Sequence, residues 1–281
     1  MRNTTKLMIA GIGALAVPMI ALVPVLAQNI PLPPGVVFFE GHRYLLPEAA
    51  VAKNAAAVSA LITAGNQLGM VRGNTYGNQT HLALGNSTHR WRYVATGMMN
   101  GEQVKVTMDM DYRLPAVRTQ IEHANKTTEI TVANGHYAWD ESKPGVYSGP
   151  AKTASWERLL PIYMLPPAVI QLGDPAAETI KLSTNSAGLR ELTIPAPQFK
   201  SELKATLDKE GLVSHTEMMV AGKLYSADYS QYEGDMMEYH VYFPHRIIQK
   251  VDGKVVADLT ASEHWSGRYM VYPVPKEVAS K

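Results

Sequence analysis

The feature that most constrains this chain is a two-residue rhythm that begins after Gly69 and runs almost to the C-terminus. Val104, Val106, Met108 and Met110 alternate with Lys105, Thr107, Asp109 and Asp111. That spacing puts the apolar side chains on one face of a strand and the polar ones on the other. Asn100-Gly101 precedes this strand and Trp91–Thr96 precedes the turn, which is the pattern of a tight hairpin. Pro115–Glu122 alternates again, and Ile130 and Val132 lead through Asn134-Gly135 to Tyr137 and Trp139. Short turns of this kind join antiparallel neighbours, whereas parallel strands need long crossovers. Strands are expected again over Leu189–Ile194, Leu203–Leu207, Leu212–Val220, Leu224–Tyr229, Glu238–Phe243, Ile247–Val251 and Val255–Ala261. Their turns are Asp208–Gly211, Glu233-Gly234 and Asp252-Gly253. Strands recurring about every ten residues predict a curved antiparallel sheet or a barrel.

The first 46 residues do not share that rhythm. Arg2 and Lys6 stand before an uncharged run from Leu7 to Ala27, and Val25-Leu26-Ala27 offers modest and small side chains at the exit. Residues 1–27 therefore read as a secretory signal cleaved near Ala27-Gln28, with the remainder periplasmic or secreted. A retained membrane anchor is the alternative, although Pro18 and Pro24 interrupt the run. Residues 28–46, rich in proline at the start, are expected as an extended linker. The single β-rich domain would then span 47–281, with an insert near 151–197. It opens with a helix begun at Pro47 and stopped at Gly65, whose apolar stripe is Val51, Ala55, Val58 and Ile62, widened by Leu61. Laid across the sheet, that helix makes the fold class α+β.

Composition removes several functions. With 26 basic against 25 acidic residues there is no field to attract nucleic acid, and removing the leader leaves one more acid than base. Cysteine is absent, which rules out disulfides, thiolate metal sites and a cysteine nucleophile. Neither a nucleophile elbow, nor a phosphate-binding glycine loop, nor His-Glu-x-x-His occurs. The nine histidines are scattered; His240 and His245 lie on opposite faces of any one strand, with Pro244 between them. No catalytic residue, metal ligand or cofactor is therefore assigned. Asp109 and Asp111 share one face, about 7 Å apart; alternation makes them solvated positions opposite Met108 and Met110, and a hydrolase using both is one alternative. Asp228, Asp235 and Glu238 among several tyrosines suit a sugar surface or ordinary hairpin packing. Asn78-Gln-Thr80, Asn86-Ser-Thr88 and Asn125-Lys-Thr127 match the glycosylation triplet.

The middle of the chain carries the positive signal. A helix starting at Ser155 meets Pro161 and then Pro166-Pro167, where it is expected to break. Its residues are bulky and apolar, fit to plug a core or to line a greasy cavity. Met108, Met110, Trp139, Trp156, Leu160, Tyr163 and Met164 are the candidate lining residues, the methionines being well suited to irregular apolar space.

Tyr225-Ser-Ala-Asp-Tyr229, Tyr242-Phe-Pro-His-Arg-Ile247, Val251-Asp-Gly-Lys-Val-Val-Ala-Asp-Leu-Thr260 and Tyr272-Pro-Val-Pro275 together resemble the end of LolA/LolB-like domains. The resemblance covers about fifty residues of mostly turn chemistry, and transfers no functional residue. It implies an incomplete antiparallel barrel closed by helices, whose concave face carries the acyl chains of lipids or lipoproteins. The expected function is thus that of an exported, non-catalytic binder or carrier of a hydrophobic small molecule or lipidated protein, meeting membrane only transiently and nucleic acid not at all. An envelope hydrolase and a structural or adaptor domain are the alternatives.

Overall fold

A computed structural model describes residues 36–39, 42–45, 48–70, 90–112, 114–173, 176, 178–234, 242–266 and 272–280, with side chains from Asn54 onward except that of Ser266. The leader and its cleavage point, the side chain of Val51, the Asn78 and Asn86 triplets, and Asp235, Glu238 and His240 lie outside these residues.

Thirteen strands form one antiparallel sheet, and its order follows from two meanders. The first is β3 (Arg90–Met99), β4 (Glu102–Asp111), β5 (Ala116–His123), β6 (Thr128–Asn134), β7 (Tyr137–Lys143) and β8 (Val146–Pro150). The second is β9 (Lys181–Thr184), β10 (Arg190–Ala196), β11 (Ser201–Leu207), β12 (Val213–Val220), β13 (Lys223–Gly234), β14 (Tyr242–Val251) and β15 (Lys254–Ser266). The last strand, β15, pairs with the first, β3, and fuses the two meanders into a single sheet. Gly97 allows that seam: a Cβ there would lie 2.1 Å from the Asp258 carbonyl oxygen. The ends β8 and β9 do not pair with each other, so the sheet is open, not a closed barrel. A separate hairpin, β1 (Val36–Phe39) with β2 (His42–Leu45), occupies part of the stretch expected as linker.

Among the described residues four α-helices accompany the sheet: α1 (Glu48–Gln67), α2 (Ser155–Met164), α3 (Pro166–Gly173) and the short α4 (Lys276–Ala279). Helix α1 packs against β9, β10 and α3. It runs through Gly65 to Gln67 and is capped by Gly69, which takes φ +67° while Met70 N–H bonds back to the Gly65 carbonyl at 2.8 Å. That is a glycine C-cap, displaced four residues from the expected stop. Asn54 has non-helical angles (φ −124°, ψ 26°), which turns the stripe: Val58, Leu61, Ile62 and Leu68 are buried, but Ala55 is exposed. Pro161 does not break α2. The helix forgoes one backbone bond there and is held instead by burial of Leu159, Leu160, Ile162, Tyr163 and Met164. The break comes at Leu165, whose ψ of 152° is the extended conformation favoured before a proline.

Helix α2 fixes the curvature. It touches β6 and its neighbours β5 and β7, and also β12. From β6 to β12 the sheet takes seven inter-strand steps, about 34 Å if flat. A helix of ten residues is only about 15 Å long. The sheet therefore curls around it. Strands β8 and β9, short and mostly exposed, were not expected, and β9 and β10 place part of the presumed insert within the sheet. Strand β14 runs as one element through Pro244, which pairs with Tyr232 of β13 but lies beyond the stretch bonded to β15. The missing N–H is harmless there.

Candidate functional site

Pro166 and Pro167 remove the N–H groups that would have served the Ile162 and Tyr163 carbonyls, so the end of α2 needs other donors. The sheet supplies them. Tyr112, just after β4, donates to the Ile162 carbonyl at 2.7 Å. Thr216 of β12 donates to the Met164 carbonyl at 2.8 Å, and the Tyr229 hydroxyl of β13 reaches the same oxygen. Burial raises the pKa of Tyr112 and Tyr229 above the ordinary phenol value, so both remain donors. At the other end of the helix, Arg158 is buried. Its guanidinium donates to Asp140 at 2.6 Å, to Thr153 at 2.9 Å and to the Val132 and Trp139 carbonyls. Helix α2 is thus pinned at its start to β6 and β7 and at its end to both meanders.

Between those pins lies a cavity of about 390 Å³. Met108, Val106, Ile121 and Tyr93 line it from the first meander, Ile247 and Ala257 from the second, and Pro161 and Leu165 from α2 and its cap. Thr119 and Thr131, cross-strand partners on β5 and β6, add polar lining. A second cavity of about 290 Å³ adjoins it, sharing Glu157, Pro161, Gln249, Val251 and Val256 and adding Leu160, Met164 and Tyr225. The two volumes span the lower range of small-molecule sites. A third, of about 440 Å³, lies beside Trp156, Leu159, His136 and Phe199.

The seven candidate residues are dispersed over this arrangement. Met108 lines the first cavity, Leu160 and Met164 the second, and Trp156 the third. Met110 is fully buried in the main core, and Tyr163 packs edge-on against Tyr112 and Phe199. Burial pushes the Tyr163 hydroxyl up to about 12. Trp139 faces the other way: it joins Ala116, Val132 and Tyr272 in a small core on the opposite side of the sheet, its indole donating to Glu141 at 3.1 Å.

That outer face also holds the two aspartates. Asp109 is ion-paired with Arg92 and Asp111 with Arg90, each at 2.8 Å, while Arg118 clasps Glu141 and lies 5.3 Å from the Tyr272 ring. Neither aspartate lines any of these three cavities. Further along the same face, His215 and Lys250 flank Asp228 at 2.7 and 2.6 Å. Partial burial would raise the Asp228 carboxyl, but Lys250 and His215 outweigh it and hold it below the usual range. Among the described residues no group of three histidines and carboxylates is placed to hold a metal ion, and no helix is long and apolar enough to cross a membrane.

Tyr93, Arg158, Thr119, Thr131 and Ala257 were not among the expected lining residues. Alternation places Tyr93 with Trp91 and Ala95 on one side of β3, but nothing local says that this side meets Met108, its cross-strand partner.

No protein-family profile matches the chain, and no curated protein does. Among solved structures, an uncharacterized conserved protein from Thermus thermophilus is similar at 11% identity and a TM-score of 0.31, over 79% of this chain and 96% of that one.

Proposed function

We propose that the protein is an exported, non-catalytic binder or carrier of a hydrophobic ligand, a lipid or the acyl chain of a lipoprotein. The observation that supports this reading is the pair of adjoining cavities between the curled sheet and α2, floored by Met108, Val106, Ile121 and Ile247 and flanked by Leu160 and Met164. Removing acyl surface from water into such a site is favourable by about 25 cal/mol per Å². In this reading α1 is the covering helix, closing the arm of the sheet formed by β9 and β10. The C-terminal likeness to LolA/LolB-like domains points in the same direction. A purely structural or adaptor role would be better served by an interior packed solid.

Extraction of the purified protein with organic solvent, followed by mass spectrometry, tests the proposal together with displacement of a fluorescent fatty acid. Co-purifying lipid or saturable dye uptake is expected. Protein that carries nothing and takes up no apolar probe overturns it.

A further inference from the structure

We infer that the rim of the sheet at the mouth of the first cavity docks on an anionic phospholipid bilayer. In an antiparallel sheet every second turn projects from the same end. The turns β3–β4, β5–β6, β7–β8, β10–β11, β12–β13 and β14–β15 therefore share one rim. Asn100, in the first of them, donates its N–H to the Val256 carbonyl at 2.8 Å. Met99, Asn100, Val251 and Val256 all line the first cavity, so the cavity reaches this rim. Large apolar side chains are exposed beside it. Of six such side chains among the described residues, Met98, Val146, Met219 and Val255 each lie within two residues of one of these turns and are between 44% and 58% exposed. Leu114 and Tyr242 belong to the opposite rim.

The free charge on this rim is basic. Lys126, Lys143, Lys200, Lys223 and Lys254 stand at its turns, all exposed and none ion-paired among the described residues. Lysines within the strands differ: Lys105, Lys181, Lys204 and Lys250 each hold a carboxylate. The five turn lysines outnumber the carboxylates beside these turns that no lysine holds, Glu102, Glu129 and Asp252. On the opposite rim, the β11–β12 turn sets Asp208 and Glu210 around Lys209. With 26 basic and 25 acidic residues the chain is nearly neutral, so attraction depends on where its charges stand. A surface potential fades within a Debye length, about 8 Å at physiological salt, and a bilayer meeting this rim senses the turn lysines rather than the far side. Lysine beside apolar side chains suits an interface: ammonium groups meet phosphates while the apolar groups enter the acyl boundary. Docking in this way sets the cavity mouth on the bilayer, but the surface does not depend on what the cavity holds.

The test is flotation of the purified full chain with vesicles of phosphatidylcholine alone or with about one-third phosphatidylglycerol. The chain should bind the anionic vesicles at least about tenfold more tightly and leave them in about 1 M salt. Lys143→Gln, Lys223→Gln and Lys254→Gln combined should weaken that binding about a hundredfold, about fivefold for each lysine. Lys209→Gln, on the opposite rim, should change nothing. Met98→Ser with Val255→Ser should weaken it about tenfold. These side chains are exposed, so the variants should keep the wild-type melting temperature and lose only docking. No flotation, equal affinity for the two vesicles, binding unaffected by either rim variant, or a loss in Lys209→Gln equal to that in Lys254→Gln alone overturns the inference. Retention on polyglutamate without vesicle binding would indicate an acidic protein partner and overturns it as well. None of the substituted positions lines the first two cavities, so uptake of an apolar dye in vesicle-free buffer reads the carrier role separately.

Discussion

The Met164 carbonyl offers a quantitative test of how the roof of the cavity is held. It has two hydroxyl partners, Thr216 and Tyr229, which lie 2.9 Å from each other, and the two residues after Leu165 are prolines without N–H groups. Thr216→Val leaves the carbonyl with Tyr229, and Tyr229→Phe leaves it with Thr216. Each single change removes a hydrogen bond but orphans nothing, so each should lower stability by about 1 kcal/mol. The double variant is different in kind. It strands a buried carbonyl, which adds about 1–3 kcal/mol beyond the sum of the single effects. The total is then about 3–5 kcal/mol, with a clear coupling energy in the double-mutant cycle. Urea unfolding followed by tryptophan fluorescence measures it, the midpoint falling while the slope stays constant. If the double variant matches the sum of the singles to within about 0.5 kcal/mol, the two hydroxyls do not share that carbonyl and the account of the helix end is wrong.

Other expectations follow from neighbouring features. Arg158→Met should destabilise by about 3 kcal/mol, since it leaves Asp140 and two carbonyls without their partner; the same urea titration reads it, and a change within error of zero refutes it. Ala257→Phe, which puts a ring into the first cavity, should weaken uptake of an apolar dye at least tenfold while the protein still melts cooperatively; undiminished uptake would place the ligand elsewhere. The lowered Asp228 pKa stabilises the fold above the ordinary aspartate value of about 3.9, and that contribution disappears as pH falls through the folded-state value. Asp228→Asn should therefore flatten the decline in melting temperature below about pH 4; an unchanged acid limb would show that the Lys250 and His215 contacts carry no linkage.

Much of the sheet was legible because its turns and alternation are local. The β3–β4, β6–β7 and β14–β15 hairpins follow Asn100-Gly101, Asn134-Gly135 and Asp252-Gly253. The faces were harder. On β6 it is polar Thr131 that lines the cavity, while Val132 is buried on the outside, because Tyr272 builds a second core there. A rule that sends the apolar side inward therefore misplaces Trp139, which pairs with Val132. Asp109 and Asp111 read as solvated, yet Asp111 is 2% exposed because Arg90 accompanies it. Pro161 reads as a breaker, and only tertiary burial keeps the helix running through it. The pairing of β15 with β3 has no local signature at all. It joins residues such as Val94 and Ser262, 168 positions apart.

That seam also decides when, during biosynthesis, the first cavity can close. One wall of the first cavity comes from β3 to β6 and the other from β14 and β15, more than a hundred residues later. Contacts so remote in sequence form slowly, since a long loop must close before they repay its entropy. A nascent or truncated chain lacking residues after Lys254 has two unjoined meanders and no seam. Closure of that cavity is accordingly coupled to synthesis of the last long strand.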